Sequence, residues 1–182
     1  MKATPLALPD VLLLEPRVFD DNRGAFFESF NTRTFAEFAG RDIAFVQDNQ
    51  SVSRRGVVRG LHYQVAPAPQ GKLVRVLAGA IFDVAVDIRH SSPSFGKWVG
   101  ETLSAENRRQ LWIPEGFAHG FVALREGTEV LYKTTDFYHR AAERAIRWDD
   151  PELAIAWPAD VTPILSDKDA EAPAFRDATL FD

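Results

Sequence analysis

The middle of the chain is broken into short runs of strand-favouring residues, and this division constrains the fold more than any other feature. The runs are Leu73–Leu77, Ile81–Ile88, Trp98–Leu103, Gln110–Ile113, Phe121–Leu124 and Val130–Thr134. Strands this short at this spacing predict a sandwich or barrel. Between them stand Ala78-Gly79-Ala80, Ser91-Ser92-Pro93-Ser94 and Glu126-Gly127, which favour tight reversals over crossover helices and so a largely antiparallel sheet. Alternation along Ile81–Ile88 puts Phe82, Val84, Val86 and Ile88 on one face, the expected core face, and Ile81, Asp83, Ala85 and Asp87 on the other.

Helix signals are few. Asn31 or Thr32 is placed to cap a short segment that carries Phe35 and Phe38 and ends at Gly40, and a second short helix is expected over Asp169 to Ala172. After Trp148-Asp149-Asp150 the chain turns proline-rich, with Pro151, Pro158, Pro163 and Pro173, which predicts an extended tail wrapped on the barrel. No repeat or composition shift marks a linker, and 182 residues suit a single domain over 1–182. The expected class is mostly β, an antiparallel sandwich or barrel with few short helices and an extended C-terminal tail.

Composition excludes several functions. The net charge of -5 argues against a nucleic-acid surface, although Arg54, Arg55, Arg59, Lys72 and Arg75 fall in one stretch without an acidic residue. By itself such a stretch reads as a solvated face. No apolar run is long enough for a membrane span, and the proline-interrupted N-terminus is a poor secretion signal, so a cytoplasmic setting is expected. The absence of cysteine removes disulfides, thiolate metal ligands and thiol nucleophiles.

Chemistry-bearing residues gather in five segments: Arg59-Gly60-Leu61-His62-Tyr63-Gln64, Lys72 in Gly71-Lys72-Leu73-Val74, Pro114-Glu115-Gly116-Phe117-Ala118-His119, Tyr132-Lys133, and Ser166-Asp167-Lys168-Asp169. His90 and His139 sit in turn contexts and receive no role. A strand histidine is ordinarily a buried imidazole bonded to backbone, a strand lysine a solvated cation, and a strand tyrosine a core aromatic with its hydroxyl at the rim. Together, however, these types suit proton abstraction beside a carbonyl. A neutral His accepts the carbon-bound proton, Lys or Arg stabilises the enolate oxygen, Tyr returns a proton, and Asp orients the imidazole.

The segment Pro114–Phe121 resembles the second signature of the cupin jelly-roll superfamily, in which the Pro-x-Gly turn precedes an inward His. This resemblance implies the jelly-roll form for the antiparallel barrel. Metal-binding cupins carry a His-x-His pair and a Glu in the first signature, whereas the corresponding place here reads His62-Tyr63-Gln64. Two histidines are too few to complete a divalent site, so no metal is expected. The motifs Asp21–Glu28, Gln47–Ser51, Arg59–Gln64, Gln70–Val76, Leu111–Phe121, Ile146–Pro151 and Leu165–Asp169 together resemble the dTDP-4-dehydrorhamnose 3,5-epimerase family over nearly the whole length.

That resemblance implies a metal-independent isomerase without cofactor. It would invert C3 and C5 of dTDP-4-dehydro-6-deoxy-D-glucose through enolates, giving dTDP-4-dehydro-L-rhamnose for rhamnose-containing surface polysaccharide. It implies His62 as general base with Asp169, Tyr132 as the opposing acid and Lys72 as partner of the enolate, with Arg59 and His119 near the substrate. For the nucleotide it implies Arg23 and Arg59 on the diphosphate, Glu28, Gln47, Asp48 and Asn49 at thymidine, and Tyr138 stacked on the base. Phe19 or Phe26 would close the other side. Glu143 and Lys168 are further contacts, with surface ion pairing as their ordinary alternative. A homodimer is implied, with N-terminal strand exchange carrying Arg23 and Phe26 to the neighbour. One conflict stands: strict alternation puts Arg59 and His62 on opposite faces unless the strand bends at Gly60. Other readings are a one-centre epimerase or ketoisomerase of this fold, a non-catalytic sugar- or nucleotide-binding cupin, and a metal-dependent cupin oxygenase.

Overall fold

A computed structural model describes residues 1–182. Six strands form one sheet, in the order β1 (Lys2–Pro5), β2 (Leu12–Glu15), β10 (Gln110–Ile113), β7 (Lys72–Ala78), β12 (Thr128–Thr134) and β5 (Gln47–Ser53). Five form the second, in the order β13 (Glu143–Ala145), β6 (Val58–Gln64), β11 (Phe117–Ala123), β8 (Ala80–Asp87) and β9 (Trp98–Ser104). Every ladder within these sheets is antiparallel, as the short turns predict. β3 (Val18–Asp21) and β4 (Gly24–Phe27) pair only with each other, as a hairpin outside both sheets.

Packing follows alternation. Val74 and Val76 of β7, Ile81 and Ala85 of β8, Leu111, Phe121 and Val130 meet in one cluster between the sheets. Full burial of such a side chain contributes roughly 1.5–3 kcal/mol. Outward Leu73, Leu12, Leu14 and Trp112 meet α1 (Thr32–Ala39) through Phe35. That helix begins where Asn31 accepts the backbone N–H groups of Arg33 and Thr34 and ends at Gly40 with φ 68°, matching the predicted caps.

The aliphatic face of β8 is core as expected, but that core lies outside the barrel. Val84, Val86 and Ile88 pack outward against Leu153 and Phe175 of the tail. The interior face carries Ile81, Asp83, Ala85 and Asp87, and both aspartates are fully buried. The tail turns the outer face into a second core, so both faces of β8 are shielded and hydrophobicity alone cannot say which points inward. Asp150 anchors this covering, its carboxylate accepting the backbone N–H groups of Glu152, Leu153 and Phe175. The second helix, α2, spans Asp167–Ala170, starting earlier than expected because Ser166 caps it by accepting from the Asp169 backbone N–H. No helix is long and apolar enough to cross a membrane.

Candidate active site

β6 and β11 pair out of step. Arg59 pairs with Phe121 and His62 with His119, so three steps along β6 oppose two along β11. This bulge removes the parity conflict and turns Arg59 and His62 to the same side. Gly60 permits it: its φ is +123°, and a Cβ there would lie 2.5 Å from Gly120 Cα and 2.6 Å from the His119 carbonyl oxygen.

On the inner side of the bulge the two sheets enclose a cavity of about 270 Å³. His62 and Glu143 enter it from the five-stranded sheet, Lys72, Tyr132, Gln47 and Asn49 from the six-stranded sheet, and Tyr138 from the rim. A larger cleft of about 400 Å³ lies between the outer face of the five-stranded sheet and the tail, walled by Val58, Val122, Trp148 and Trp157. It is mainly apolar, and the carboxylate of Asp150 in its wall is occupied by backbone N–H groups, so the converging titratable groups belong to the smaller cavity.

His62 is hydrogen-bonded through Nε2 to Asp169 Oδ1, which leaves Nδ1 as its unengaged ring nitrogen. The other Asp169 oxygen accepts from Ser166 Oγ at 2.9 Å. Burial works to raise the Asp169 carboxyl, but the hydrogen bond and charge of His62 and the Ser166 hydroxyl outweigh it, and the group sits below its ordinary value. Lys72 is buried, and its Nζ donates across the barrel to the His62 carbonyl at 3.0 Å. Burial pulls its ammonium down to about 8 against the opposing charges of Asp83 and Glu143. Tyr132 is raised, first by burial, with Arg59 acting in the opposite direction. The site therefore places an imidazole oriented by a carboxylate, a readily titrated ammonium and a proton-retaining phenol around one space.

At the rim, Glu143 accepts from the Tyr138 hydroxyl at 2.9 Å and pairs with Lys168 at 2.6 Å. Lys168 and Asp169 are neighbours on α2, so one short helix serves both rim and base. Arg59 is steadied by Ser53 Oγ at 3.2 Å. His119 lies buried beside His62 in the ladder, its Nε2 2.6 Å from Asp83 Oδ1. Asp83 carries no signal in the sequence, because alternation puts it on the face opposite the expected core. No group of three or more His, Cys, Asp or Glu side chains is placed to hold a metal ion.

Arg59, His119, Lys168 and Asp169 sit beside the cavity without lining it, whereas Asp48, Glu28, Arg23, Phe26 and Phe19 lie away from it. Asp48 alternates to the outer face and pairs with Lys133 at 3.0 Å, leaving Gln47 and Asn49 as the inward members of that run. Glu28 accepts from Asn31 at 3.0 Å. Arg23 pairs with Asp21 at 2.6 Å, and Phe26 is 73% exposed, both on the separate hairpin. His90 and His139 are exposed.

The sequence profile described as dTDP-4-dehydrorhamnose 3,5-epimerase matches residues 5–177. The chain belongs to the dTDP-4-dehydrorhamnose 3,5-epimerase family. It is thus an isomerase, with the jelly-roll fold of its relatives. The dTDP-4-dehydrorhamnose 3,5-epimerase of Pseudomonas aeruginosa is 63% identical over 181 residues, covering 100% of this chain and 99% of its own. That of Shigella flexneri is 58% identical over 181 residues, with the same coverage of 100% and 99%. The crystal structure of the dTDP-6-deoxy-D-glucose-3,5-epimerase of Legionella pneumophila, in complex with dTDP-4-keto-L-rhamnose, superposes with a TM-score of 0.93 at 49% identity. It covers 97% of this chain and 93% of that one.

Proposed function

We propose that this member of the epimerase family inverts C3 and C5 of dTDP-4-dehydro-6-deoxy-D-glucose to give dTDP-4-dehydro-L-rhamnose, in the service of dTDP-L-rhamnose synthesis. The observation that carries the reading is the placement of His62 on one sheet and Tyr132 and Lys72 on the other, all facing one cavity. His62 takes the proton from the carbon beside the C4 ketone through Nδ1, while Asp169 holds Nε2 and balances the imidazolium. The C–H electron pair moves into the carbonyl, and the Lys72 ammonium stabilises the enolate oxygen it creates. Tyr132 then delivers its proton from the opposite sheet, hence to the opposite face of the sugar, and the carbon is inverted. Solvent restores both side chains, so each inversion is redox-neutral and consumes no co-reactant.

Cationic Arg59 and Lys168 suit the diphosphate, Tyr138 suits stacking on thymine, and Gln47, Asn49 and Glu143 supply polar contacts at the mouth, with His119 behind the sugar. Arg23, Phe26 and Glu28 fit the same substrate from a second copy. The hairpin β3–β4 stands apart from both sheets with Phe19 52% and Phe26 73% exposed, which supports a homodimer with strand exchange. The whole of residues 1–182 acts as one domain in this reading, and the setting is cytoplasmic.

Incubation with the dTDP-4-keto sugar in deuterated water tests the assignment. Label at both C3 and C5 of an epimerised product is expected. Label at one centre alone would reduce the protein to a monoepimerase, and none at either would leave it a binding protein.

A further inference from the structure

Two His–Asp pairs stand side by side in the barrel, and only one of them has its carboxylate fully engaged. Asp169 uses one oxygen on His62 and the other on Ser166. Asp83 uses Oδ1 on His119, while Oδ2 is buried without a hydrogen-bond partner. A fully buried carboxylate oxygen is costly to leave unpaired, so its retention needs a charge or donor within reach.

The nearby cation is Lys72. Its Nζ has one hydrogen bond, to the His62 carbonyl, which supplies no negative charge. Five groups bear on it from five strands: His62 on β6, Tyr132 on β12, Glu143 on β13, Asp83 on β8, and His119 on β11 through Asp83. Of the two carboxylates, Glu143 is already paired with Lys168 and the Tyr138 hydroxyl. Asp83 is the one with an oxygen to spare.

We propose that Asp83 is a positioning residue for the epimerase reaction, holding His119 by Nε2 so that Nδ1 is its remaining nitrogen, and serving as the buried counter-charge of Lys72. It touches no substrate atom. It prepares the two groups on which a developing enolate and its neighbouring hydroxyls depend, and it does so in the empty protein. The proposal rests on the function given above for Lys72 and His119.

Two measurements test it separately from that function. In the unliganded wild-type protein, ¹⁵N ring shifts of His119 should report a proton on Nε2; a bare Nε2 would overturn the assignment whatever the enzyme catalyses. The isosteric Asp83→Asn should keep the fold and dTDP affinity within a few-fold while kcat falls about 10- to 100-fold, as for other supporting partners of active groups. Its alkaline limb of kcat should move to lower pH, because removing the anion lets burial discharge Lys72 sooner. An Asp83→Asn enzyme with lower melting temperature but unchanged kcat and pH profile would make Asp83 merely structural and overturn the proposal. Should that variant fold poorly, the wild-type tautomer still decides.

Discussion

Two parts of the barrel interior are built from the same strands and differ in what they do. On β7, inward positions pass from Lys72 to Val74 and Val76, so one strand supplies a cavity wall and then a close-packed core. On β12, Val130 is in the core and Tyr132 marks the border, packing against the cluster while lining the cavity. Where inward residues are aliphatic the sheets close on each other; where they are polar the sheets stay open and the groups lose water without losing access. The difference teaches that stability and chemistry are divided along single strands, and the two should be separable by substitution.

The division is broken most severely at the base. His62→Ala should reduce solvent-deuterium incorporation at both carbons, read per folded molecule, by at least about 10²–10⁴-fold, with a modest fall in melting temperature because the buried Asp169 loses its partner. Full exchange in that variant would remove His62 as sole base. Tyr132→Phe is expected to preserve exchange with retention of configuration and to abolish epimerised product, read by NMR of the sugar. Normal product would contradict its role as acid.

Lys72 sharpens the comparison because activity and stability respond to its titration with opposite signs. Lys72→Met should lower kcat about 10²–10³-fold, the scale of losing one oxyanion partner, and should also lower stability at neutral pH, because Asp83 is left as a buried carboxylate without its counter-charge. In the folded state the lysine titrates at about 8, below its unfolded value of about 10.4. Between those pH values the unfolded chain binds more protons, so wild-type stability should rise with pH in that window while activity, which needs the ammonium, declines. Denaturation midpoints measured across the window should lose this rise in Lys72→Met. The smallest effect on turnover belongs to the packed side: Leu111→Ala should cost about 2–5 kcal/mol of stability and leave exchange per folded molecule unchanged. A loss of exchange there would show that the two parts are not separable.

Much of the fold was legible because it is local. The six central strands, the caps of α1 and the covering tail follow from alternation, Asn31, Gly40 and the prolines after Trp148. The site was legible in part: His62, Lys72, Tyr132, Gln47, Asn49, Tyr138 and Glu143 do line one cavity, and Asp169 reaches His62. Asp48 misled because membership of a motif says nothing about which face a side chain takes, and its alternation in β5 sends it to Lys133. Arg23, Phe26 and Glu28 stand outside the cavity of a single chain. Asp83 was passed over because the aliphatic face opposite it looked like the core.

What the sequence determined by itself is the set of periodicities, turns and reactive residue types, and through its ordered motifs the family. These are properties of neighbouring residues and survive without knowledge of long-range contacts. The tertiary structure alone decided the bulge at Gly60 that brings Arg59 and His62 to one side, the outward sealing of β8 by the tail, and the arrival of Asp169 at His62 from 107 positions away. Each depends on how distant segments pack, and packing energy is a property of the assembled surfaces rather than of any one stretch of chain.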